Sequence, residues 1–182
     1  MLVAVCGLAG AGKTTAVDIL EGLGAGARVY VGAFVTAEVA HRRLPPTPQS
    51  EREVREDLRA SGGMAALAWL ALPTIEGILE AGRVALVDAI YCVEEFALYR
   101  ERLGDQVVRI SVEAEKWHRE ERLAIRTLRR IDAEALAKRD EFELAQLGLG
   151  AVLAAAEHRV INDGTLDDLE HTLQRLADLL RS

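Results

Sequence analysis

The sequence predicts an α/β domain of three layers, a sheet of five short parallel strands between two layers of helices. Three observations point to it. Short apolar runs that suit buried strands alternate with longer stretches of helical spacing. The first run ends in a glycine-rich turn that opens directly into a helix. Strand–helix–strand units of this kind cross over right-handedly and give a parallel sheet covered on both faces.

Leu2 to Cys6 is a continuous apolar run, as expected of a strand buried on both sides. Gly7 to Lys13 forms the turn, and Thr14 to Leu23 is a helix punctuated at its end by Gly22, Gly24 and Gly26. Arg28 to Val31 is the second strand. Ala33 to Arg43 is a helix stopped by the prolines of Leu44 to Pro48, which lack the amide donor a helix needs. Ser50 with Glu53 makes a capping box for a helix from Glu51 to Ala60. Gly62 and Gly63 break it, and Met64 to Ala81 follows as an apolar helix kinked at Pro73. Arg83 to Asp88 is the third strand, Val93 to Leu103 a helix, and Gln106 to Val112 the fourth strand. Glu113 to Leu147 is helical with a break near Arg130 to Ala135. Ala151 to Glu157 adds a helical piece, Arg159 to Ile161 is the last strand, and Thr165 with Asp168 caps a final helix to Leu180.

The chain has 182 residues, within the span of about 100–200 usual for one domain. Half of its residues are hydrophobic, enough for a sizeable core, and no repeat or linker divides it. Residues 1–182 therefore read as one domain. A net charge of −7 excludes a general nucleic-acid coat. No apolar window approaches a membrane span, and Cys6 and Cys92 cannot build a disulfide framework, so a cytoplasmic location is expected. Only three of the 22 basic residues are lysines, and residues 116–139 hold eight basic against four acidic side chains. A basic island on an acidic protein suggests a local anion site.

Gly7-Leu8-Ala9-Gly10-Ala11-Gly12-Lys13-Thr14 fits the phosphate-binding pattern GxxxxGK[ST] at every fixed position, between a strand and a helix as that chemistry requires. Backbone N–H groups of the loop and the positive end of the helix cradle phosphates. Lys13 reaches the β- and γ-phosphates, and the Thr14 hydroxyl is a ligand for Mg²⁺. Thr15 completes the set. Asp88 ends a hydrophobic strand at the sheet edge where ligands bind in such folds. It is a candidate for the magnesium shell or for taking a proton from an acceptor hydroxyl. Arg119, Arg122, Arg126, Arg129 and Arg130 recur at three- and four-residue steps. Guanidinium groups neutralise charge in phosphoryl transfer, and pairing with Glu115, Glu120 and Glu121 is the alternative reading. Arg139-Asp140 either closes back on the site or is an exposed ion pair. His41, Arg42 and Arg43 at a helix end are candidates for holding an acceptor anion. No metal-ligand spacing links His118, His158 and His171.

These residues resemble the P-loop nucleoside and nucleotide kinases, above all dephospho-coenzyme A kinase and the archaeal adenylate-kinase-like proteins. Besides the loop, Pro46-Thr47-Pro48 before a helix ending Asp57-Leu58-Arg59 is similar, as is Arg139-Asp140 with Glu143. Ala156 to Thr165 resembles the adenine-side tail of dephospho-coenzyme A kinases. The resemblance implies a P-loop kinase fold with strand order 2-3-1-4-5, ATP and Mg²⁺ as cofactors, and Asn162 and Gly164 at the adenine. It implies an acceptor-side helical region at 33–82 and an arginine-rich lid at 116–139, with Arg119, Arg122 and Arg126 facing the phosphates. The sequence departs from that pattern where Ala33 replaces an acidic residue and where Asp88-Ala89-Ile90-Tyr91 replaces Asp-Gly-x-Arg. Either the acceptor is not a simple nucleoside monophosphate, or His41, Arg42, Arg43 and Tyr91 hold it instead, or no acceptor is phosphorylated. The expected function is an ATP-dependent small-molecule kinase acting on a nucleotide, nucleoside or nucleotide-like acceptor. Dephospho-coenzyme A kinase activity and a nucleotide-binding switch without an acceptor are the alternatives. The expected partners are ATP and that acceptor, with no nucleic acid or membrane, and the chain is a monomer or homodimer.

Overall fold

The structure, a computed structural model, describes residues 1–126 and 130–181. Its five strands are β1 (Leu2–Cys6), β2 (Ala27–Tyr30), β3 (Ala85–Asp88), β4 (Val107–Glu113) and β5 (His158–Ile161). They form one parallel sheet in the order β2-β3-β1-β4-β5, with β1 in the centre. Register places Val5 beside Asp88 and Cys6 beside Ser111, which lines up the C-terminal strand ends at one edge.

Side chains alternate across a strand, so β1 feeds two cores. Leu2, Ala4 and Cys6 pack with α2 (Gly32–His41), α4 (Ala66–Glu80), α5 (Val93–Leu103) and α8 (Leu149–Ala154). Val3 and Val5 pack on the opposite face with α1 (Lys13–Gly22) and α9 (Leu166–Arg181). A third, small cluster joins Ala9 of the glycine-rich turn to Leu123 of α6 (Lys116–Ala124) and Leu136 of α7 (Ala133–Glu141). It seats both helices on the turn.

Three boundaries differ from the sequence expectations. Helix α3 runs Pro48–Gly62, a turn earlier than expected, because Thr47 rather than Ser50 caps it: Thr47 Oγ1 accepts from Ser50 N at 3.2 Å. Pro48 suits the first helical position, where its missing N–H costs nothing. Helix α4 runs Ala66–Glu80, starting two residues later than expected, and is a single element through Pro73 as the sequence implies. The long helix expected over 113–147 is α6 and α7, then one π-helical turn, Phe142–Gln146. Asp132 starts α7 by accepting from Ala135 N at 2.8 Å. Arg129, one of the arginine series, lies outside the described residues. The final helix is capped as expected: Thr165 N donates to Asp168 Oδ2 at 2.9 Å, and Asp168 N donates back to Thr165 Oγ1. No single helix among the described residues is long and apolar enough to cross a membrane.

Candidate active site

The turn after β1 is gripped from several sides. Gly10, at φ +81°, lies so close to α6 that a Cβ there would stand 2.9 Å from both Arg119 O and Leu123 Cδ1. Gly12, at φ +101°, leaves no room for a Cβ because Asn162 Nδ2 fills that space. Asn162, buried just after β5, donates from Nδ2 to Ala11 O at 2.8 Å, and its own amide donates to Glu113 O at 2.7 Å. Arg122 Nη2 donates to Asn162 O at 2.8 Å, while its buried Nη1 has no partner among the described residues. Glycine is thus required where neighbouring elements press on the loop.

Lys13 turns back on the loop, and Thr14 beside it reaches Asp88. Lys13 Nζ donates to the loop carbonyls of Gly7 (2.7 Å) and Leu8 (3.1 Å), folding its side chain back across the turn. Thr14 Oγ1 donates to Asp88 Oδ2 at 3.2 Å, joining the start of α1 to the end of β3. Thr14 and Thr15 are exposed at the first turn of α1, whose unpaired N–H groups and dipole favour an anion. A hydroxyl beside a carboxylate at that point is a donor set suited to hard, oxygen-seeking Mg²⁺.

Tyr91 joins this site. Lys13 Nζ lies 5.4 Å from the centre of its ring, a cation–π contact. Its amide donates to Glu95 Oε2 at 2.6 Å, so the cap of α5 fixes its backbone. Glu95 is buried, and that burial raises its carboxyl above the usual range against the pull of the Tyr91 amide and Arg59. Arg59 of α3 comes within 3.5 Å of Glu95.

Other expected residues are placed differently. Arg119 is buried and its guanidinium is engaged: its Nη1 donates to Ala9 O at 3.1 Å, and both terminal nitrogens bind Asp140. Arg139-Asp140 is therefore split in function, Asp140 bracing Arg119 and Arg139 Nε pairing with Glu143 at 2.7 Å. Arg126 is exposed beyond the end of α6. Gly164 lies at the exposed start of α9, a position where a Cβ would crowd Asp168. His41, Arg42 and Arg43 end α2, and Arg42 is held by Glu38 and Asp57, each at 2.7 Å. No described contact joins these three to the loop. Cys6 and Cys92 are buried, and burial pushes both thiols up to about 12, so neither is a nucleophile at neutral pH.

Sequence reasoning missed Arg28. From β2 it donates to Asp88 Oδ2 at 2.6 Å and to Asp18 at 2.7 Å. The available signal was a charged residue inside an otherwise apolar strand, and it did not reveal the partner across the sheet.

No family model matches the chain. Among solved structures, shikimate kinase from Bacteroides thetaiotaomicron superposes with a TM-score of 0.62 at 16% identity, covering 100% of this chain and 99% of that one. A gluconokinase from Sinorhizobium meliloti gives 0.52 at 16% identity, covering 99% and 94%. The fold is that of the P-loop kinases. Among sequences, a UPF0200 protein of Aeropyrum pernix is 37% identical over 180 residues, 97% of this chain and 92% of that protein. Another from Methanoregula boonei is 34% identical over 186 residues, 100% of this chain and 96% of its own. With relatives this similar along nearly the whole length, the chain belongs to the UPF0200 family.

Proposed function

We propose that this protein is an ATP-dependent kinase that phosphorylates a small molecule, a nucleotide, nucleoside or nucleotide-like acceptor. The observation that carries the reading is the meeting of Lys13, Thr14 and Asp88 at one end of a loop whose glycines the fold requires. The solved kinases that share the fold, a shikimate kinase and a gluconokinase, support it.

The residues fit ATP with Mg²⁺. Lys13 would exchange two loop carbonyls for phosphate oxygens, and Thr14 with Asp88 would hold the metal or its water. Bound there, the nucleotide supplies the γ-phosphoryl group. Asp88 would orient the acceptor hydroxyl and take its proton, and Arg28 keeps that carboxylate fixed. Arg122, with one buried nitrogen that has no partner among the described residues, would be the arginine of α6 best placed to meet an anion on the loop. Arg119 acts through the loop as a positioning residue, since it holds Ala9 O from below. Because phosphoryl transfer depends on positioning and charge neutralisation, these are the roles it needs filled.

The test is ADP release from ATP–Mg²⁺ with nucleoside monophosphates, nucleosides and dephospho-coenzyme A, with acceptor-free hydrolysis alongside. The expected result is acceptor-dependent release, reduced roughly a hundredfold or more in Lys13→Ala. A Lys13→Ala protein that transfers at the wild-type rate would refute the assignment.

A further inference from the structure

The end of β3 carries a charge pairing that phosphate binding does not require. Arg28 and Tyr30 alternate with Val29 along β2, so both lie on the face that Leu86 and Asp88 share on β3, the face covered by α1. From there the Arg28 guanidinium spans two carboxylates. Its Nη1 donates to Asp18 Oδ1 at 2.7 Å and its Nη2 to Asp88 Oδ2 at 2.6 Å. Asp18 stands one turn after Thr14 on α1, and the Thr14 hydroxyl donates to that same Asp88 oxygen at 3.2 Å. The four side chains form one continuous group at the start of α1, with a single positive charge between two negative ones.

Several contacts hold Arg28 in that position. Its backbone amide donates to Glu21 Oε1 at 3.0 Å, which ties β2 to α1. Its guanidinium carbon lies 5.1 Å from the centre of the Tyr30 ring, a cation–π contact. Tyr30 is itself set against the start of α2, where a Cβ on Gly32 would stand 2.5 Å from its ring. The Asp88 side chain is 4% exposed and that of Arg28 24%, so solvent screens their attraction little. Asp18, more than half exposed, is the open side of the group.

Two carboxylates beside a hydroxyl are oxygen donors of the kind that Mg²⁺ and Mn²⁺ select, and a guanidinium already stands between them. We propose that Arg28 is a positioning residue that also keeps free divalent cations from the Thr14–Asp88 end of the loop, so that the protein takes a metal only together with its nucleotide. Arg28 has this role only if Thr14 and Asp88 are the metal-shell residues of the kinase reading. Both side-chain bonds described for Asp88 fall on Oδ2, which leaves Oδ1 for a metal-bound water or an acceptor hydroxyl. A phosphate chain seated on the loop supplies the negative charge that lets a dication approach a carboxylate already matched by Arg28. The nucleotide-free protein lacks that charge.

Titration of the nucleotide-free full chain with Mn²⁺ alone, followed by loss of the free-ion electron paramagnetic resonance signal, tests this. Wild type should show no saturable site tighter than about 0.1 mM. Arg28→Gln, which leaves two carboxylates unmatched, should gain a site and bind Mn²⁺ roughly tenfold or more tightly than wild type. Arg28→Lys keeps a positive charge and should not gain it. Adding Asp88→Asn to Arg28→Gln should abolish the gain. An arginine with only a structural task gives no such pattern, because loosening the fold does not create a metal site. Where Arg28→Gln does not fold by circular dichroism, Arg28→Met, which keeps the aliphatic packing, takes its place. A wild-type site tighter than about 0.1 mM, no gain in the neutral variant, a gain also in Arg28→Lys, or one that survives Asp88→Asn overturns the proposal. Failure of the kinase reading shows separately, as absent ADP–Mg²⁺ binding to wild type, and the nucleotide-free titrations still decide whether Arg28 excludes the ion.

Discussion

Changing Asp140 to asparagine removes a charge and almost no volume, and the surroundings of Arg119 set its cost. The Arg119 and Asp140 side chains are 5% and 13% exposed, joined by parallel bonds of 2.9 and 2.7 Å. Asparagine keeps one acceptor oxygen but loses the negative charge and turns an amide N–H toward the guanidinium, which retains Ala9 O at 3.1 Å and whose Nε has no partner among the described residues. Breaking a buried pair from one side costs roughly 3–5 kcal/mol, because the remaining charge stays desolvated. Set against a usual domain stability of about 5–15 kcal/mol, Asp140→Asn should unfold at a much lower urea concentration. Replacing both partners, Arg119→Met with Asp140→Leu, removes the stranded charge and should recover most of the loss. Urea unfolding of Arg119→Met, Asp140→Leu and the pair, followed by circular dichroism, gives the coupling directly. Single losses below about 1 kcal/mol that add within about 0.5 kcal/mol would refute the reasoning and return Arg119 to the arginines available to a ligand.

Gly12→Ala should cost roughly 1–2 kcal/mol for its left-handed backbone and about 1 more for the displaced Asn162–Ala11 bond. Gly24→Ala, with positive φ but open space, should cost only the first amount, so equal losses on unfolding would contradict the close approach. The Thr165 hydroxyl and amide hold the Asp168 carboxyl below its ordinary value of 3.8. Its contribution to stability is complete above that value and is lost as pH falls through the folded one, so Asp168→Asn should flatten stability against pH below about 4 in acid unfolding.

The fold was legible because its signals are local. Leu2 to Cys6 is apolar throughout because both its faces are covered, and the Thr165–Asp168 cap spans four residues. The glycine–lysine–threonine pattern was legible for the same reason. What escaped were pairings set by tertiary contact. Arg119 carries the spacing of a phosphate-facing series, yet Asp140, 21 positions on, takes its charge. Arg55 and Arg59 sit in a helix crowded with carboxylates, so spacing alone reads them as a solvated face. Arg52 and Arg55 do pair at i,i+4, with Glu56 and Glu51, whereas Arg59 turns to Glu95 of α5, a partner set by packing. The α3 cap was missed because prolines on both sides of Thr47 look like a stop, whereas one of them starts the helix.

The partners of the loop lie far along the chain. Ala11 waits for Asn162, 151 positions away, Ala9 for Arg119 after 110, and Thr14 for Asp88 after 74. During synthesis the loop therefore emerges well before its partners and acquires its braces in stages, the last of them beyond residue 160. A nascent chain released short of β5 would carry the full phosphate-binding motif with its backbone unbraced. A fully braced loop is thus a late property of the growing polypeptide, and it reports that the sheet has closed through to its far strand.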